Sequence, residues 1–184
     1  MSEQLTNGGR RAFKHFLKFV VSGITAPFVY EVIESESKRI RDYLNIPTDD
    51  KSPSIDTEFV VFDTADSLLS IAVAIRHIDV VHFLEEPADH SPMDPLPERE
   101  DEALIYLQGQ DEPYPISFDD PRQAAELISG LDSQPYYFDA FYSIVDDDGE
   151  MLSLNVAHIK LVEIEAEVVH EGQELLAHDQ HRDN

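Results

Sequence analysis

The residues best suited to bind a metal are the consecutive acids of the sequence Asp-Asp-Asp-Gly-Glu at 146–150. Carboxylate oxygens are the ligands that Ca²⁺ prefers, and a calcium site needs several of them converging on one point. Neighbouring acids in a hairpin turn point in different directions, and the spacing of a helix–loop–helix calcium site is absent. We therefore predict a solvated turn without a metal, and place Asp146, Asp147 and Asp148 on a candidate interaction surface.

Histidines are the second group with metal-binding chemistry, because imidazole is a common zinc ligand. The chain has eight of them, and His170, His178 and His181 fall in a segment that we expect to be a polar tail. His77 and His158 recur at equivalent positions of two similar segments. That recurrence favours a structural role, in which the ring bonds to the backbone where a strand breaks.

The sequence offers little for catalysis. Asp119 and Asp120 could form the carboxylate pair of a hydrolase, but they precede Pro121, and this order is typical of a helix N-terminus. The chain has no cysteine, no glycine-rich phosphate loop and no nucleophile elbow. We predict a protein that is not an enzyme, with no catalytic residue, no metal site and no cofactor.

The net charge limits the class of partner. Thirty-eight acidic residues oppose thirteen Lys and Arg, which gives a formal charge of −25. Such a field repels phosphate backbones, so we expect no nucleic-acid partner, and it attracts basic proteins. Solubility in a saline habitat is an alternative explanation of the same charge. We expect a basic protein partner or self-association, no membrane contact, and a cytoplasmic location, which suits a chain without cysteines.

A divergent repeat indicates how the chain is built. Residues 63–83 and 144–164 align without a gap at an offset of 81, with four of 21 positions identical and apolar positions matched in kind. The His-Ile pair at 77–78 recurs at 158–159. Two related β units are therefore predicted, and convergent β patterning stays open.

Two helices are predicted at the N-terminus. The first runs from about Arg10 to Val21 and the second starts at Pro27, which suits a first helical position. One face of the first helix is apolar, at helical spacing, and belongs to the candidate interaction surface: Phe13, Phe16, Leu17 and Val20. We expect this face to pack on the body of the protein or on a second subunit.

The rest of the chain alternates between strands and one capped helix. Residues 58–83 predict three strands with a one-turn break at Arg76-His77, and residues 103–108 and 114–118 predict two more. Asp120, with Gln123 three residues on, predicts a capping box for a helix that continues to Leu131. A second β unit is expected from Tyr136 to Val169, followed by a polar tail.

The sequence IAVAIRHIDVVHF, followed by IYL, PISF and DDPRQAAELISGL, resembles small bacterial domains with an Sm-like or SH3-like barrel. The resemblance covers residues 58–131, with a partial second copy at 136–169. It implies a strongly bent antiparallel barrel and assembly through edge strands. RNA binding does not follow, because loop 63–67 lacks the base-holding asparagine and Leu-Gln-Gly at 107–109 replaces an Arg-Gly step.

These observations predict an α+β protein with N-terminal helices, an Sm/SH3-like antiparallel β-barrel unit and a partial second β repeat. The expected divisions are residues 1–57, 58–131, 132–170 and 171–184. The expected function is a non-enzymatic acidic assembly or protein-interaction module. The alternatives are an acidic inhibitor or immunity-type protein that mimics nucleic acid toward a basic target, and an Sm-like RNA-associated protein.

Overall fold

The computed structural model describes residues 13–44, 58–87, 92, 102–133, 141–145, 149 and 151–182, which form ten strands and three α-helices. The strands are β1 (Phe13–Val21), β2 (Phe28–Val32), β3 (Phe59–Asp63), β4 (Leu69–Ala74), β5 (Ile78–Pro87), β6 (Ala103–Leu107), β7 (Tyr114–Ile116), β8 (Phe141–Val145), β9 (Met151–Asn155) and β10 (Ile159–Glu165). The helices are α1 (Glu34–Leu44), α2 (Pro121–Asp132) and α3 (Ala166–Arg182). Two one-turn 3-10 helices cover Ile75–His77 and Val156–His158.

The described N-terminal segment is a β-hairpin, so the prediction of two N-terminal helices is wrong. β1 pairs with β2 in antiparallel register, with Leu17 opposite Tyr30. The apolar residues of β1 fit a helical spacing, but Leu17, Phe19 and Val21 also alternate, and all three are buried on one face. Aromatic and β-branched residues favour a pleated, half-buried surface, so they favour a strand over a helix for β1.

The hairpin turn explains why the chain cannot continue as a helix. Gly23 has a φ of +73°, a conformation that residues with a side chain rarely adopt. The N–H of Ile24 donates to the Val21 carbonyl at 3.0 Å and closes the turn. The second expected helix starts only at Glu34, because Phe28–Val32 is the return strand β2.

The described strands form open sheets and no closed barrel, which corrects the expected fold. The central sheet has five strands in the order β3-β4-β10-β6-β7, and two smaller sheets have the orders β2-β1-β5 and β8-β9. A barrel closes only when its last strand pairs with its first. Here β4 pairs instead with β10, a strand from much later in the chain.

The central sheet is covered on both faces, because successive side chains of a strand point to opposite sides. One face, with α2, α3, β8 and β9, forms what we call the α2–α3 core, which includes Ala72, Ala74, Ile105, Leu127, Ile144, Leu154, Val162, Ile164 and Val169. The other face, with β1, β2 and α1, forms the β1–β2 core, which includes Leu17, Phe19, Tyr30, Ile40, Phe62, Ile71, Val73 and Leu161.

Helix α2 begins as the sequence predicts, but its capping box is incomplete. Asp120 is the N-cap, and its side chain accepts a hydrogen bond from the Arg122 N–H at 2.9 Å. The Gln123 amide does not turn back to the cap. It bonds the backbone N–H and carbonyl of Val145 at 2.6 and 3.2 Å, which ties α2 to the end of β8.

Helix α3 starts at Ala166 and reaches Arg182, so the second β unit ends earlier than expected and the polar segment after it is a long helix. α3 packs against α2. Gly172 permits this approach, because a Cβ at that position would collide with the Pro121 carbonyl and the Ala125 side chain. The expected divisions at residues 57, 131 and 170 stay predictions.

The same order of secondary-structure elements occurs twice along the chain. What we call the first unit (residues 13–87) contains strand, strand, helix, strand, strand, 3-10 turn and strand, and the second unit (residues 103–165) contains the same series from β6 to β10. The segments aligned in the sequence, 69–83 and 150–164, both have a strand, a 3-10 turn and a strand among their described residues, as predicted. Common ancestry of the two units stays a prediction.

Hydrogen bonds repeat along with the elements. The N–H of Ser22, after β1, donates to the His77 carbonyl at 2.8 Å, and the N–H of Gln108, after β6, donates to the His158 carbonyl at 2.8 Å. Each donor precedes a glycine of positive φ in the hairpin turn. The two histidine positions therefore act through their backbone, each holding the first strand of its unit against the 3-10 turn.

Candidate interaction site

The repeat shows that one strand pairing between the two units, that of β4 with β10, lacks its counterpart among the described residues. If every strand of the central sheet is replaced by its counterpart in the other unit, the order β3-β4-β10-β6-β7 becomes β8-β9-β5-β1-β2. The described structure contains both ends of that second sheet, as β8-β9 and as β5-β1-β2. The pairing between β9 and β5, which corresponds to the observed pairing of β4 with β10, is not made among the described residues.

β5 is less buried than its counterpart β10. β10 is flanked by β4 and β6, and its residues Leu161 and Val162 are fully buried. Their counterparts on β5 are Val80, which is 44% exposed, and Val81, which is partly buried. β5 is ten residues long and pairs only with β1 among the described strands. Among the described residues, its second edge therefore has no partner strand and has apolar side chains beside it.

The β8-β9 hairpin has one covered face, whereas its counterpart β3-β4 has two. Phe59, at the start of β3, is 6% exposed and lies in the α2–α3 core. Phe141, at the start of β8, is 56% exposed, and Met151 on β9 is 74% exposed. The two strands read FYSIV and MLSLN and carry no charged residue. An uncharged, partly apolar face in a chain of charge −25 is typical of an interaction surface.

The two strands of the missing pairing pack in different cores. β9 packs in the α2–α3 core through Leu154, and β5 packs against the β1–β2 core through Val81 and Phe83. These cores lie on opposite faces of the central sheet. We define the candidate interaction site as the open edge of β5 together with the outer face and edge of the β8-β9 hairpin.

The predicted interaction residues of β1 are divided by the structure. Phe13 is 54% exposed, and it lies opposite Pro87 at the end of β5, so it borders the candidate site. Phe16 and Leu17 are fully buried and Val20 is partly buried, so these three contribute to packing. Asp146, Asp147 and Asp148 lie outside the described residues.

Sequence reasoning did not select β5 or β9 as a site. Both strands were expected, but nothing in a sequence of alternating apolar residues says which edge of a strand has a neighbour. The usable signal was the repeat itself, because counterparts that differ in burial mark the position where the symmetry of the fold is broken.

A polar cleft of about 510 Å³ lies between α1, β3, α2 and α3. Asp63 accepts a hydrogen bond from Ser70 Oγ at 2.6 Å, and its other oxygen lies 3.6 Å from His170 Nε2. The acid thus stands between the serine and the histidine. A nucleophilic serine needs the base beside it, so this order of groups does not activate Ser70.

His77, in the 3-10 turn of the first unit, has a pKa shifted from its ordinary value. Arg76 Nε donates to His77 Nε2 at 3.2 Å. Burial, followed by the nearby positive charges of Arg76 and Lys160, lowers the pKa of His77 below its ordinary value, while Asp79 opposes the shift. Both effects favour the neutral ring, in which Nε2 accepts the hydrogen bond from Arg76.

No group of three or more metal-ligating side chains occurs among the described residues, and none of the described helices is long and apolar enough to cross a membrane. Comparisons with known protein families, with curated proteins and with solved structures found nothing that matches this chain.

Proposed function

We propose that the chain is a non-enzymatic protein-interaction module that binds its partner by strand addition at the open edge of β5. The observation that carries this proposal is a contrast within the described part of the chain: β5 is paired there on one side, and its counterpart β10 on both. An added strand would satisfy the backbone N–H and carbonyl groups along that edge and would cover Val80. A cytoplasmic location belongs to the same proposal.

The edge is poorly protected against pairing. Natural edge strands are blunted by proline, by bulges, by charged side chains, especially lysine, or by a short length. β5 is ten residues long and has its proline only at the last position, Pro87. The irregularity in its pairing with β1 lies at one end, beside Val20 and Val21. Charged acids are present only toward the ends, at Asp79, Glu85 and Glu86, and residues 80–84 between them are apolar except for His82.

The charge of −25 supports a second candidate, an acidic inhibitor that presents carboxylates to a basic target. Binding of that kind acts through long-range attraction and weakens steeply as salt is added. It does not depend on an apolar strand edge. The two candidates therefore respond differently to salt and to a substitution at Val80.

The experiment compares three tagged baits in extracts of the source cells: wild type, Val80→Lys and Leu68→Lys. Leu68 is 59% exposed in the turn between β3 and β4, so its variant carries the same new charge away from the site. We expect wild type and Leu68→Lys to retain the same partner, identified by mass spectrometry, and Val80→Lys to lose it at least tenfold. Folding of each bait is checked by its melting temperature.

Three outcomes count against strand addition. Equal retention by all three baits would place the binding surface elsewhere. A basic partner that is released by moderate salt and is indifferent to Val80→Lys would favour the acidic inhibitor. A wild-type bait that retains neither another protein nor an untagged copy of itself would remove the interaction function altogether.

A further inference from the structure

We propose that the partner at the β5 edge is the β8-β9 hairpin of a second copy of the chain. This inference rests on the proposed function and names its partner. In the assembly, β9 of each copy pairs with β5 of the other, so that both copies complete the sheet β8-β9-β5-β1-β2 across the interface. The pairing is the counterpart of the β4–β10 pairing that each copy already makes internally.

The observed pairing sets the register of the proposed one. β10 and β4 pair in antiparallel fashion, with Val162 opposite Ala72. The repeat offset of 81 converts this pair into Val81 opposite Ser153. The neighbouring observed pair, Leu161 opposite Val73, becomes Val80 opposite Leu154 in the same way. A slip by one residue would turn the apolar side chains of β9 to the wrong face, so the register is specific.

The side-chain faces agree with this register. The counterpart of Val81 is Val162, and the counterpart of Ser153 is Ala72. Val162 and Ala72 lie together in the α2–α3 core. Val81 packs against the β1–β2 core. Pairing would place the outer face of the hairpin, with Phe141, on the side of that core. It would cover the face of the hairpin on which Phe141 and Met151 are exposed.

The proposed pairing of β9 with β5 gives a closed dimer and not an open filament. Each copy offers one β5 edge and one β9 edge, and a two-fold axis uses all four of them in a dimer. A filament would require the same two edges to be used by different neighbours. The isologous dimer also buries two hairpins at once, which favours closure.

Charge on the strands decides where two acidic molecules can meet. Copies of charge −25 repel each other over about 10 Å at 0.1 M salt. The β8 and β9 strands carry no charge, so the strand added to β5 brings no further carboxylate to the acids that β5 itself carries. The dimer should therefore be favoured by salt, which is the opposite of binding to a basic partner.

Cysteine cross-linking tests the register, since the natural chain has no cysteine. Directly opposed residues in an antiparallel pair have Cα atoms about 4.5–5.5 Å apart, within the reach of a disulfide. The test variant combines Val81→Cys with Ser153→Cys. The control combines Val81→Cys with Ser143→Cys, because Ser143 pairs with Ser153 from β8 and lies one strand further from the interface. Each single variant is oxidised in parallel.

We expect the test pair to give a covalent dimer in at least tenfold greater yield than the control pair under mild oxidation in 1 M salt. The wild-type chain should have the mass of a dimer by sedimentation in the same buffer, and Val80→Lys the mass of a monomer. A dimer from Val81→Cys alone would show β5 paired with β5. A disulfide within one chain would show that the hairpin closes on its own β5. Either result overturns the proposed dimer.

The two proposals can fail separately. If the test pair does not cross-link and the wild type is a monomer, the second copy is excluded as the partner. Strand addition at β5 still stands in that case if Val80→Lys releases a different protein from the bait. If Val80→Lys changes neither mass nor retention, both proposals fall together.

Discussion

Arg76 donates a hydrogen bond through Nη2 to the carbonyl oxygen of Ala157 at 2.5 Å, and the two residues are counterparts at the repeat offset of 81. A residue that contacts its own counterpart lies at the axis that relates the two units. The same Nη2 also donates to the carbonyls of Val156 and Ile159, at 3.2 and 3.1 Å. One guanidinium therefore joins the 3-10 turn of the first unit to that of the second.

We predict that Arg76→Met lowers the free energy of unfolding by about 1.5–3 kcal/mol, the range typical of hydrogen bonds from a charged donor. Methionine keeps much of the apolar stem but donates no hydrogen bond to the three carbonyls. Chemical denaturation measures the change. Arg122→Met is the matched control, because Arg122 forms ion pairs with Asp120 and Asp179 at the protein surface, and we expect a smaller loss there. Equal losses in the two variants would contradict a joining role for Arg76.

A second contact between the units involves a buried carboxylate. Glu163 on β10 is 4% exposed, and it accepts hydrogen bonds from Tyr30 at 2.7 Å and from Tyr106 at 3.3 Å. Tyr30 belongs to the first unit, and the other two residues to the second. A buried carboxylate is tolerated only when hydrogen bonds replace its lost hydration. The triad thus specifies how the β1-β2 hairpin sits on the central sheet.

We predict that Tyr30→Phe costs about 1.5–3 kcal/mol of folding free energy, because the ring still packs while Glu163 loses a close donor. Tyr114→Phe removes a hydroxyl from a half-exposed ring and should change stability by less than about 0.5 kcal/mol. Adding Glu163→Gln to Tyr30→Phe completes a double-mutant cycle. If the two substitutions are additive, Tyr30 and Glu163 are not coupled and the triad does not hold the units in place.

The sequence predicted an element best where the apolar pattern was accompanied by a second signal that marks where the element begins or ends. The strand, tight turn and strand around His77 were found because alternation ends at the Arg76-His77 break and recurs at offset 81. Asp120 was recognised as a helix cap because Pro121 follows it. In both cases a local backbone preference and the apolar pattern indicate the same structure.

The segment Phe13–Val21 was misassigned because its apolar residues fit both a helical and a strand period. Only the pairing partners, β2 on one side and β5 on the other, decide between the two. The prediction of a closed barrel was wrong for a similar reason. Local pattern shows that β4 is a strand, but its pairing with β10 depends on residues about 90 positions away.

The candidate site was not predictable from composition or motif, since an open strand edge is a property of backbone groups that every residue possesses. The absence of charge on β8 and β9 was visible, but it has meaning only beside a fold in which the counterpart hairpin is covered on both faces.

We predict that His77 titrates below its ordinary pKa of 6.5 in a histidine ring-proton NMR titration. Burial is the main cause and the Arg76 charge the next, so Arg76→Met should raise the pKa only part of the way back. A lowered pKa in the folded state means that neutral His77 stabilises the fold above about pH 6.5. That contribution is lost as the pH falls through the lowered value.

The variant His77→Gln isolates this effect, because glutamine cannot be protonated. We expect the wild type to lose more unfolding free energy than His77→Gln between pH 6.5 and the folded-state pKa of the ring. A wild-type His77 that titrates at or above 6.5, or parallel pH profiles for the two proteins, would show that the ring is not held neutral by its surroundings.

The acidic surface leads to a prediction about salt. The thirty-eight Asp and Glu outnumber the thirteen Lys and Arg, so the excess carboxylates repel one another in the folded chain. Added salt screens that repulsion, with a screening length of about 10 Å at 0.1 M and about 3 Å at 1 M. The melting temperature should therefore rise between low salt and molar NaCl. Association would also raise it with salt, so the measurement is made on Val80→Lys at low protein concentration, where we expect a monomer.

A comparison of salts separates screening from other effects. NaCl and KCl screen equally at the same ionic strength, whereas sulfate also strengthens apolar burial because it is excluded from the protein surface. Screening predicts that most of the rise in melting temperature occurs between low salt and a few tenths molar, with NaCl and KCl giving the same curve. A rise confined to sulfate would assign the stabilisation to apolar burial. A flat or falling curve in NaCl would show that self-repulsion of the 38 acids does not limit the stability of the fold.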